Sequence, residues 1–479
     1  MATSGKVLPS RPQEWYNGDH THHNPFPLHA MNPDSSTKLS APKMGVLGLQ
    51  HMFAMFGATV TVPLITGLDI GTTLLMAGLG TLLFHLITGG KVPAFLGSSF
   101  AFIGGYQAVT KLAGTTGYEK MTAAQLLPYA CLGVACAGLV YLVLAALVKG
   151  FGIKRVMRCF PPIVTGPIII SIGLILAPVA VAVRNADGDV ISGCATNWPL
   201  AITALVVVGI CNIWGKGMIK ILPILIGLIV SYIVACFMGA VDFSAVKSAP
   251  WIGFPIHKAN TIFGVNFTQG GLITTSIIAI VPIALATIME HIGDISAISS
   301  TVGKDFIKDP GLHRTLTGDG LATTFASLFG GPANTTYGEN TGVLALSRVF
   351  NPVVIRIAAC FAILLSFCPK FAELIHTIPS AIVGGISFVL YGMISAVGIR
   401  NLVENKVDFS KPRNLIIAAV VLVTALGGVE IPIGSHGAKL TQLALASLAG
   451  IILNAIFPAG DYAANAADDE PPKGNTYEV

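Results

Sequence analysis

The amino-acid sequence predicts an all-α polytopic membrane protein with fourteen transmembrane segments, arranged as a 7+7 inverted repeat. Three observations lead to this prediction: the composition, the succession of apolar segments, and a weak internal repeat. Of the 479 residues, 53% are hydrophobic and only 11% are charged, with a mean hydropathy of +0.74. Soluble proteins carry about a quarter charged residues. The composition therefore excludes a large cytosolic enzyme and a nucleic-acid-binding protein.

Fourteen apolar segments follow one another along the chain, each close to the roughly 20 residues that cross a bilayer. They are residues 45–66, 70–88, 91–110, 125–148, 158–182, 198–214, 219–241, 273–294, 313–330, 332–347, 351–368, 376–397, 412–429 and 438–457. The third and tenth segments are too polar and too rich in Gly and Pro for helices that face lipid. Irregular backbone at that depth is tolerated only where it is buried or lines a cavity.

The distribution of positive charge predicts the orientation in the cell membrane. Sixteen Lys and Arg residues lie in the even-numbered loops and seven in the odd-numbered loops, which places both termini in the cytoplasm. Residues 1–44 and 458–479 are polar and are predicted to be disordered cytoplasmic tails. Asp19, His20, His22 and His23 cluster in the first tail, but a solvated tail explains them, and we predict no metal or cofactor.

Three pairs of short motifs recur in the same order. Pro-x-x-[Ile/Val]-x-Gly-x-Ile occurs at 161–168 and again at 379–386, while Gln50-His51 matches Glu290-His291 and Pro93-Ala94 matches Pro332-Ala333. These matches pair the first, third and fifth segments with the eighth, tenth and twelfth. Each copy of the repeat would then contain seven membrane spans. Because seven is an odd number, the second copy starts on the opposite side of the membrane and is inverted, as in secondary transporters. Interrupted segments at equivalent places in two such halves indicate a binding site near the midplane.

Four carboxylates fall within the predicted segments, where each costs about 2.5–3.5 kcal/mol on insertion scales. Glu290 and Asp294 are four residues apart on one helical face, and Asp319 and Glu339 lie in the ninth and tenth segments. Asp294 could instead be an exposed cap near a helix end. Asp319, flanked by glycines, could instead hydrogen-bond to neighbouring backbone.

Two histidines lie close to these carboxylates in the sequence. His291 follows Glu290 but is about 100° further round the helix, so we expect it to point elsewhere. For His51, packing in the core and contact with a substrate are both open.

A buried glutamate can do two chemical tasks. When ionised it accepts hydrogen bonds from the ring N–H groups of a planar polar ligand, and in dry surroundings it also takes up a proton. Proton and ligand binding are then coupled at one site, as a symporter requires. The sequence has no phosphate-binding loop, so ATP is not the predicted energy source, and it has no HExxH or GxSxG, so we predict no enzyme.

Residues 339–348 (ENTGVLALSR) resemble the signature of the nucleobase–ascorbate transporter family, and four further runs resemble its bacterial uracil permease branch. Those runs are LQHMFAMFGATVTVP at 49–63, KVPAFLGSSFAFI at 91–103, KDPGLHR at 308–314 and NTTYGENTGV at 334–343. The resemblance implies a homodimer, short antiparallel strands in segments 3 and 10, a core domain of 45–150 and 263–372, and a gate domain of 151–262 and 373–457.

The resemblance also implies which residues bind the substrate. Backbone amides of Phe100 and Gly338 would meet a ligand carbonyl, Glu290 and Glu339 would accept from ring N–H groups, and the Phe100 ring would stack on a flat base. Further contact positions are Tyr337, Tyr391 and the neighbouring Ser99. The proton-coupling candidates are Glu290, Asp294 and Asp319.

Glu at 339 favours uracil, which presents two ring N–H donors, whereas xanthine-type members usually have Gln there. Asp294 and Asp319 match purine-transporting members, so a proton symporter for xanthine, hypoxanthine or urate is the alternative. Ser347 replaces the usual Thr of the signature and keeps the hydroxyl. An SLC26-like anion carrier is a third hypothesis, and the acidic pair counts against it.

We expect elevator-type alternating access, in which the core set moves against the gate set. The prolines 161, 162 and 379 at the boundary are either hinges or ordinary helix starts.

Overall fold

The computed structural model describes residues 40–115, 117–184, 189–433 and 438–457. Both predicted tails, with the histidine cluster of the first, lie outside these residues except for 40–44. Nineteen α-helices lie in the described part. They are α1 (Ala41–Thr66), α2 (Ile70–Ile87), α3 (Ile103–Thr110), α4 (Ala123–Phe151), α5 (Ile153–Met157), α6 (Pro162–Val181), α7 (Trp198–Ile213), α8 (Met218–Ile221), α9 (Pro223–Phe237), α10 (Ser244–Ser248), α11 (Gly270–Ile280), α12 (Ala284–Val302), α13 (Leu312–Leu328), α14 (Gly338–Ser347), α15 (Pro352–Ser366), α16 (Pro369–His376), α17 (Ser380–Glu404), α18 (Pro412–Leu426) and α19 (Gln442–Ile456).

Six short strands form three antiparallel pairs within the described ranges. They are β1 (Leu96–Ser98), β2 (Val183–Arg184), β3 (Val190–Ser192), β4 (Asn334–Thr336), β5 (Ile431–Ile433) and β6 (Ala438–Leu440). The pairs β2–β3 and β5–β6 are local hairpins. The pair β1–β4 joins residues more than 230 positions apart and lies in the two interrupted segments, the third and the tenth.

Six helical stretches in the described part are long and apolar enough to cross a membrane. They are Ala41–Thr66, Ile70–Ile87, Ala123–Phe151, Pro162–Val181, Gly270–Val302 and Ser380–Glu404. A seventh arises if α15 and α16, which meet at an angle of 85°, form one span. Helices α7, α9, α18 and α19 are apolar but shorter. The protein is therefore a multi-pass membrane protein.

The helices pack in two groups. In the first, α13 packs on α4 and α2, and α15 packs on α1 and α2. In the second, α17 packs on α6 and α7, α7 on α9, and α18 on α6 and α19. The two groups meet where α12 touches α6 and α19, and where α1 touches α9 and α17. The candidate site lies along this boundary.

Helix ends follow local sequence signals. Thr122 and Gln125 form a reciprocal capping box at the start of α4, and the Asp69 side chain accepts from the Thr72 amide to begin α2. Gly67 ends α1 with φ of 81°, which favours glycine. Pro161 and Pro379 immediately precede α6 and α17. These prolines thus occupy helix starts, where their fixed φ is well tolerated.

The eighth segment is longer than the sequence predicted. Helix α11 ends at Ile280, a 3₁₀ turn at Val281–Ile283 contains Pro282, and α12 continues to Val302 rather than ending near residue 294. Asp294 therefore lies inside a helix, so its interpretation as an exposed cap at a helix end was wrong. Pro282 explains the break, because a proline within a helix removes one backbone donor.

Candidate functional site

The two interrupted segments meet through their strands. Leu96 pairs with Thr336 and Ser98 with Asn334. The pairing extends one residue further on each side, since the Ser99 amide donates to the Ala333 carbonyl at 2.8 Å and the Tyr337 amide donates to the Phe95 carbonyl at 3.1 Å. Both strands are fully buried. Pairing satisfies the backbone groups that irregular chain would otherwise leave unpaired inside the membrane.

Each strand leads into the start of a short helix. The next amides along the chain, those of Phe100 and Gly338, donate to no recorded partner among the described residues. Gly338 opens α14, and helix α3 begins three residues after Phe100. Amides at a helix start have no intrahelical acceptor and carry partial positive charge. The two amides can therefore donate to a ligand oxygen.

A tight side-chain arrangement holds the strands in register. The Tyr337 hydroxyl donates to the Ser98 carbonyl at 2.9 Å, and the Thr59 hydroxyl donates to the Tyr337 oxygen at 3.3 Å. The Ser98 hydroxyl donates to the Thr59 carbonyl at 2.8 Å. A side chain at Gly97 would overlap the Tyr337 ring. Tyr337, predicted to contact the substrate, is buried and ties β4 to β1 and α1.

Glu290 lies on α12 and Glu339 on α14, and these two helices pack against each other. Both side chains are half-buried, and the charges of the two carboxylates act on each other. Asp294, one turn further along α12, is half-buried too, and its Oδ2 accepts a hydrogen bond from the Thr336 hydroxyl at 3.1 Å. The structure thus places Asp294 in hydrogen-bond contact with β4, with Glu290 one turn away on the same helix.

Two aromatic rings meet across the boundary between the helix groups. The Phe100 and Tyr391 rings lie edge to face, with centroids 5.8 Å apart and an interplanar angle of 78°. Both side chains are buried. The Ser99 hydroxyl is buried without a recorded hydrogen-bond partner in the described part, and the Tyr391 hydroxyl lies beside Ser387. Because buried hydroxyls are normally paired, the Ser99 hydroxyl is available to a polar ligand.

The fourth predicted carboxylate, Asp319, lies on α13 and pairs with His291. It is fully buried, and its Oδ2 is 3.1 Å from the His291 Nδ1. The expected alternative, hydrogen bonding to neighbouring backbone, was wrong because neither oxygen has such a bond. The His291 imidazole faces Asp319 on α13.

His51 serves packing in this structure. It is buried, the Asn340 amide nitrogen donates to its carbonyl at 3.2 Å, and the same nitrogen is 3.2 Å from its Nδ1. These contacts fix α14 against α1 and leave the imidazole inside the helix interface. The alternative that placed His51 at the substrate has no support in this arrangement.

Sequence reasoning missed Thr59 and Thr336, which connect the strands to helices α1 and α12. Thr336 directly precedes Tyr337 in the interrupted tenth segment, so its position there was the available signal. Nothing in the sequence distinguishes Thr59 from its neighbours in α1, since its role depends on Tyr337, 278 residues away.

Two cavities of the described part lie elsewhere. One of about 440 Å³ is lined by apolar side chains of α1, α15 and α16. The other, of about 510 Å³, lies among Asp69, His257, Glu373 and their neighbours. Neither is lined by Glu290, Glu339 or Phe100.

Comparisons with known proteins agree on one family. The family model Xan_ur_permease, described as Permease family, matches residues 42–434. The chain is 42% identical over 422 residues to the uracil permease of Bacillus caldolyticus, covering 87% of this chain and 93% of that protein. It is 43% identical over 417 residues to the uracil permease of Bacillus subtilis strain 168, covering 86% and 91%.

Solved structures share the fold at low sequence identity. The transmembrane domain of the cyanobacterial bicarbonate transporter BicA aligns with a TM-score of 0.55 and 17% identity, over 86% of this chain and 96% of that one. The overall structure of SLC26A9 aligns with a TM-score of 0.58 and 12% identity, over 86% and 64%. At such identities the likeness concerns the fold alone.

Proposed function

This chain belongs to the permease family Xan_ur_permease, the nucleobase–ascorbate transporters, and from that premise we propose that it imports uracil across the cell membrane by proton symport. It is a transporter and not an enzyme. The observation that supports uracil as the substrate is the packing of α12, which carries Glu290, against α14, which carries Glu339. The amides of Phe100 and Gly338, which have no recorded partner in the described part, lie at the strand ends nearby.

The chemistry of this arrangement suits uracil. Uracil has two ring N–H donors and two carbonyl acceptors on a flat ring. Two carboxylates can accept from the N–H groups, and the two strand-end amides can donate to a carbonyl oxygen. Phe100 and Tyr391 supply aromatic surface for the ring, and Ser99 supplies a hydroxyl. In this proposal Tyr337 shapes the site by holding the strands.

A purine substrate is the second candidate. Asp294 and Asp319 match the purine-transporting members of the family, and an enlarged ring would need space beside Thr336 and α12. Competition of labelled uracil uptake by unlabelled xanthine, hypoxanthine and urate separates the two proposals. Loss of uptake with excess xanthine would favour the purine.

An anion carrier is disfavoured despite the shared fold with BicA and SLC26A9. A site for a free anion needs cationic groups or helix starts without opposing charge. Here the helix start at Gly338 adjoins Glu339, and Glu290 and Asp294 face the same place. Their negative charges repel an anion.

Proton coupling is proposed to use Glu290, Asp294 and Asp319. The charged groups that act on Asp294 in the described part are all carboxylates: Glu290, Glu339 and Asp319. Several buried carboxylates without a Lys or Arg cannot all be ionised at once. Protons must therefore be retained in this region, and substrate binding can change their number.

The transport cycle is proposed to move a core set against a gate set in a fourteen-span, inverted-repeat homodimer with both termini in the cytoplasm. The two helix groups, which meet along α1 and α12, support this division. Glu290, Glu339 and Phe100 belong to the core set, and Tyr391 belongs to the gate set. Movement of one set along the other would expose the site first to one side of the membrane and then to the other.

The test is uptake of radiolabelled uracil by cells that lack their own uracil transporter and express the full chain. We expect saturable uptake that falls as external pH rises and collapses with a protonophore, because the gradient supplies the energy. Uptake that is unaffected by the protonophore would contradict proton symport, and absence of uracil uptake would contradict the proposal that uracil is the substrate.

A further inference from the structure

His291 and Asp319 form a buried pair that the proposed substrate site does not use. Both side chains have no exposed surface, and Nδ1 lies 3.1 Å from Oδ2. In other described ion pairs, such as Lys91–Asp309 and Arg400–Glu404, at least 49% of the surface of each side chain is exposed. Exposed pairs contribute little and arise readily. A fully buried ion pair costs free energy because both charged groups lose their hydration, so its presence favours a functional role.

The surroundings of His291 exclude water. The rings of Phe84 and Tyr141 pack edge-on against the imidazole, with centroids 6.4 Å and 6.5 Å away. Within the described residues its Nε2 has no partner, and neither Asp319 oxygen has a hydrogen bond of normal geometry. Because buried polar atoms are normally hydrogen-bonded, unpartnered atoms on both members of the pair call for an explanation.

A chain of polar atoms leads from this pair to the substrate site. The Thr336 hydroxyl lies 3.5 Å from the His291 Nδ1 and donates to the Asp294 Oδ2 at 3.1 Å. Asp294 lies one turn from Glu290 on the same face of α12. Thr336 is in β4, directly before Tyr337 and Gly338.

The ionisable groups around His291 are acidic. Asp319 faces it from α13, Tyr141 packs on it from α4, Glu339 lies on α14, and Glu290 and Asp294 share α12. Helices α6 and α19, which also touch α12, carry no ionisable side chain. Lys308 and Asp309 lie in the turn Ile307–Gly311 that touches the far end of α12. An imidazolium at position 291 would thus be surrounded by negative charge.

From this geometry we propose that His291 and Asp319 store the coupled proton, with Thr336 as the relay from Asp294. This proposal rests on the proposed uracil symport and names the residue that accepts the proton. Protonated Asp294 gives its proton to the Thr336 oxygen while Thr336 gives its own hydroxyl proton to Nδ1. One O–H bond breaks at Asp294 and one N–H bond forms on His291. Asp294 becomes a carboxylate, and the new imidazolium faces the Asp319 carboxylate.

The test uses the purified full chain in liposomes with a pH-sensitive dye inside. Two quantities are measured for each protein: uracil exchange at equal pH on both sides, and proton influx driven by added uracil. His291→Asn keeps a nitrogen near Thr336 but cannot ionise. We expect it to retain exchange while its uracil-driven proton influx falls about tenfold or more, the scale of a typical coupling free energy. Asp319→Asn should do the same.

His85→Gln is the matched control. His85 is also buried and adjoins Phe84, but its Nε2 bonds only to the Ala94 carbonyl at 2.9 Å among the described atoms, and a Gln amide can replace that bond. We expect wild-type coupling. Proton influx at the wild-type level in His291→Asn would overturn the proposal. Uracil exchange without proton influx in the wild type would overturn it as well, whereas absence of exchange in the wild type would refute the uracil function itself.

A measurement on the unaltered protein covers the case in which both variants fail to fold. Histidine ¹⁵N NMR of the wild type, assigned with His85→Gln, reports the charge of each buried imidazole. We expect one buried imidazole to change its protonation when uracil is added. A His291 that stays neutral with and without uracil, from pH 5 to 8, the range in which histidine usually titrates, would refute the storage role.

Discussion

At the scale of single residues, the proposed specificity for uracil depends on which atoms of the site accept hydrogen bonds and which atoms donate them. Glu290 and Glu339 present only acceptor oxygens when ionised, and they adjoin the donors of Phe100 and Gly338. Acceptors on one side and donors on the other define an oriented polar ligand. Glutamine in place of either glutamate changes one acceptor into a donor while it preserves size.

For Glu290→Gln we expect loss of uracil binding, because the new NH₂ group faces a ring N–H and a charged hydrogen bond disappears. Such bonds contribute about 1.5–3 kcal/mol, which corresponds to an affinity loss of about tenfold to a hundredfold. Calorimetry or ligand-dependent thermal shift of the purified protein measures it. The control is Glu404→Gln, which alters an exposed glutamate paired with Arg400. An unchanged affinity in Glu290→Gln would remove that residue from the site.

For Glu339→Gln we expect a different outcome. The family resemblance implies Gln at this position in xanthine-type members, so the variant should weaken uracil binding by about tenfold and admit xanthine. Uptake of both labelled bases by the same cells gives the ratio. A variant that retains full uracil preference would show that Glu339 does not select the substrate.

At the scale of elements, the pair β1–β4 sets the geometry of the site. Three residues from each strand hold two segments that are over 230 positions apart, and Tyr337 closes the contact by lying over Gly97. Glycine is required there because any side chain would occupy the space of the Tyr337 ring. The polarity of the interrupted segments indicated that they are internal, but their register depends on Thr59 and Tyr337 meeting.

Gly97→Ala tests this packing. The added methyl group must displace the Tyr337 ring, and overpacking of this kind costs about 1–3 kcal/mol. We expect a lower melting temperature and weaker uracil binding. Gly104→Ala, in the following helix, has no atom within 4 Å of the new methyl group and should behave as wild type. Equal melting temperatures for both variants would contradict the role of the close approach.

At the scale of the whole molecule, two helix groups share a boundary along α1 and α12. The proposed site has contributions from both sides of that boundary, since Phe100 and Tyr391 belong to different groups. A rigid protein could bind uracil there but could not release it on the other side. In the proposed transport cycle, one group therefore moves relative to the other.

Pulsed EPR distances between spin labels test this movement. Labels at Glu119 and Asp242 report on the proposed core and gate sets, and both positions are exposed. We expect their distance distribution to shift with uracil. Labels at Glu119 and Thr268, both in the core set, should keep one distribution. The exposed native cysteines, Cys159, Cys236 and Cys360, are replaced first. An unchanged Glu119–Asp242 distribution would contradict the elevator proposal.

The sequence by itself determined that this is a membrane protein, where its apolar segments lie, and which carboxylates lie within those segments at a cost in free energy. These follow from composition and local order, because a bilayer demands apolar length and penalises charge wherever it occurs. The helix starts at Pro162 and Ser380 were also predictable from the local sequence, because a proline directly precedes each of them. The extension of α12 to Val302 was missed because its last turns are polar.

Only the tertiary structure decided which polar groups meet. His291 and Asp319 are 28 positions apart on different helices, and Thr59 and Tyr337 are 278 apart. No local pattern contains such contacts, because they arise when whole helices pack and bring side chains from separate turns into one dry space. The interior excludes water there, so each polar atom must find its partner from another part of the chain.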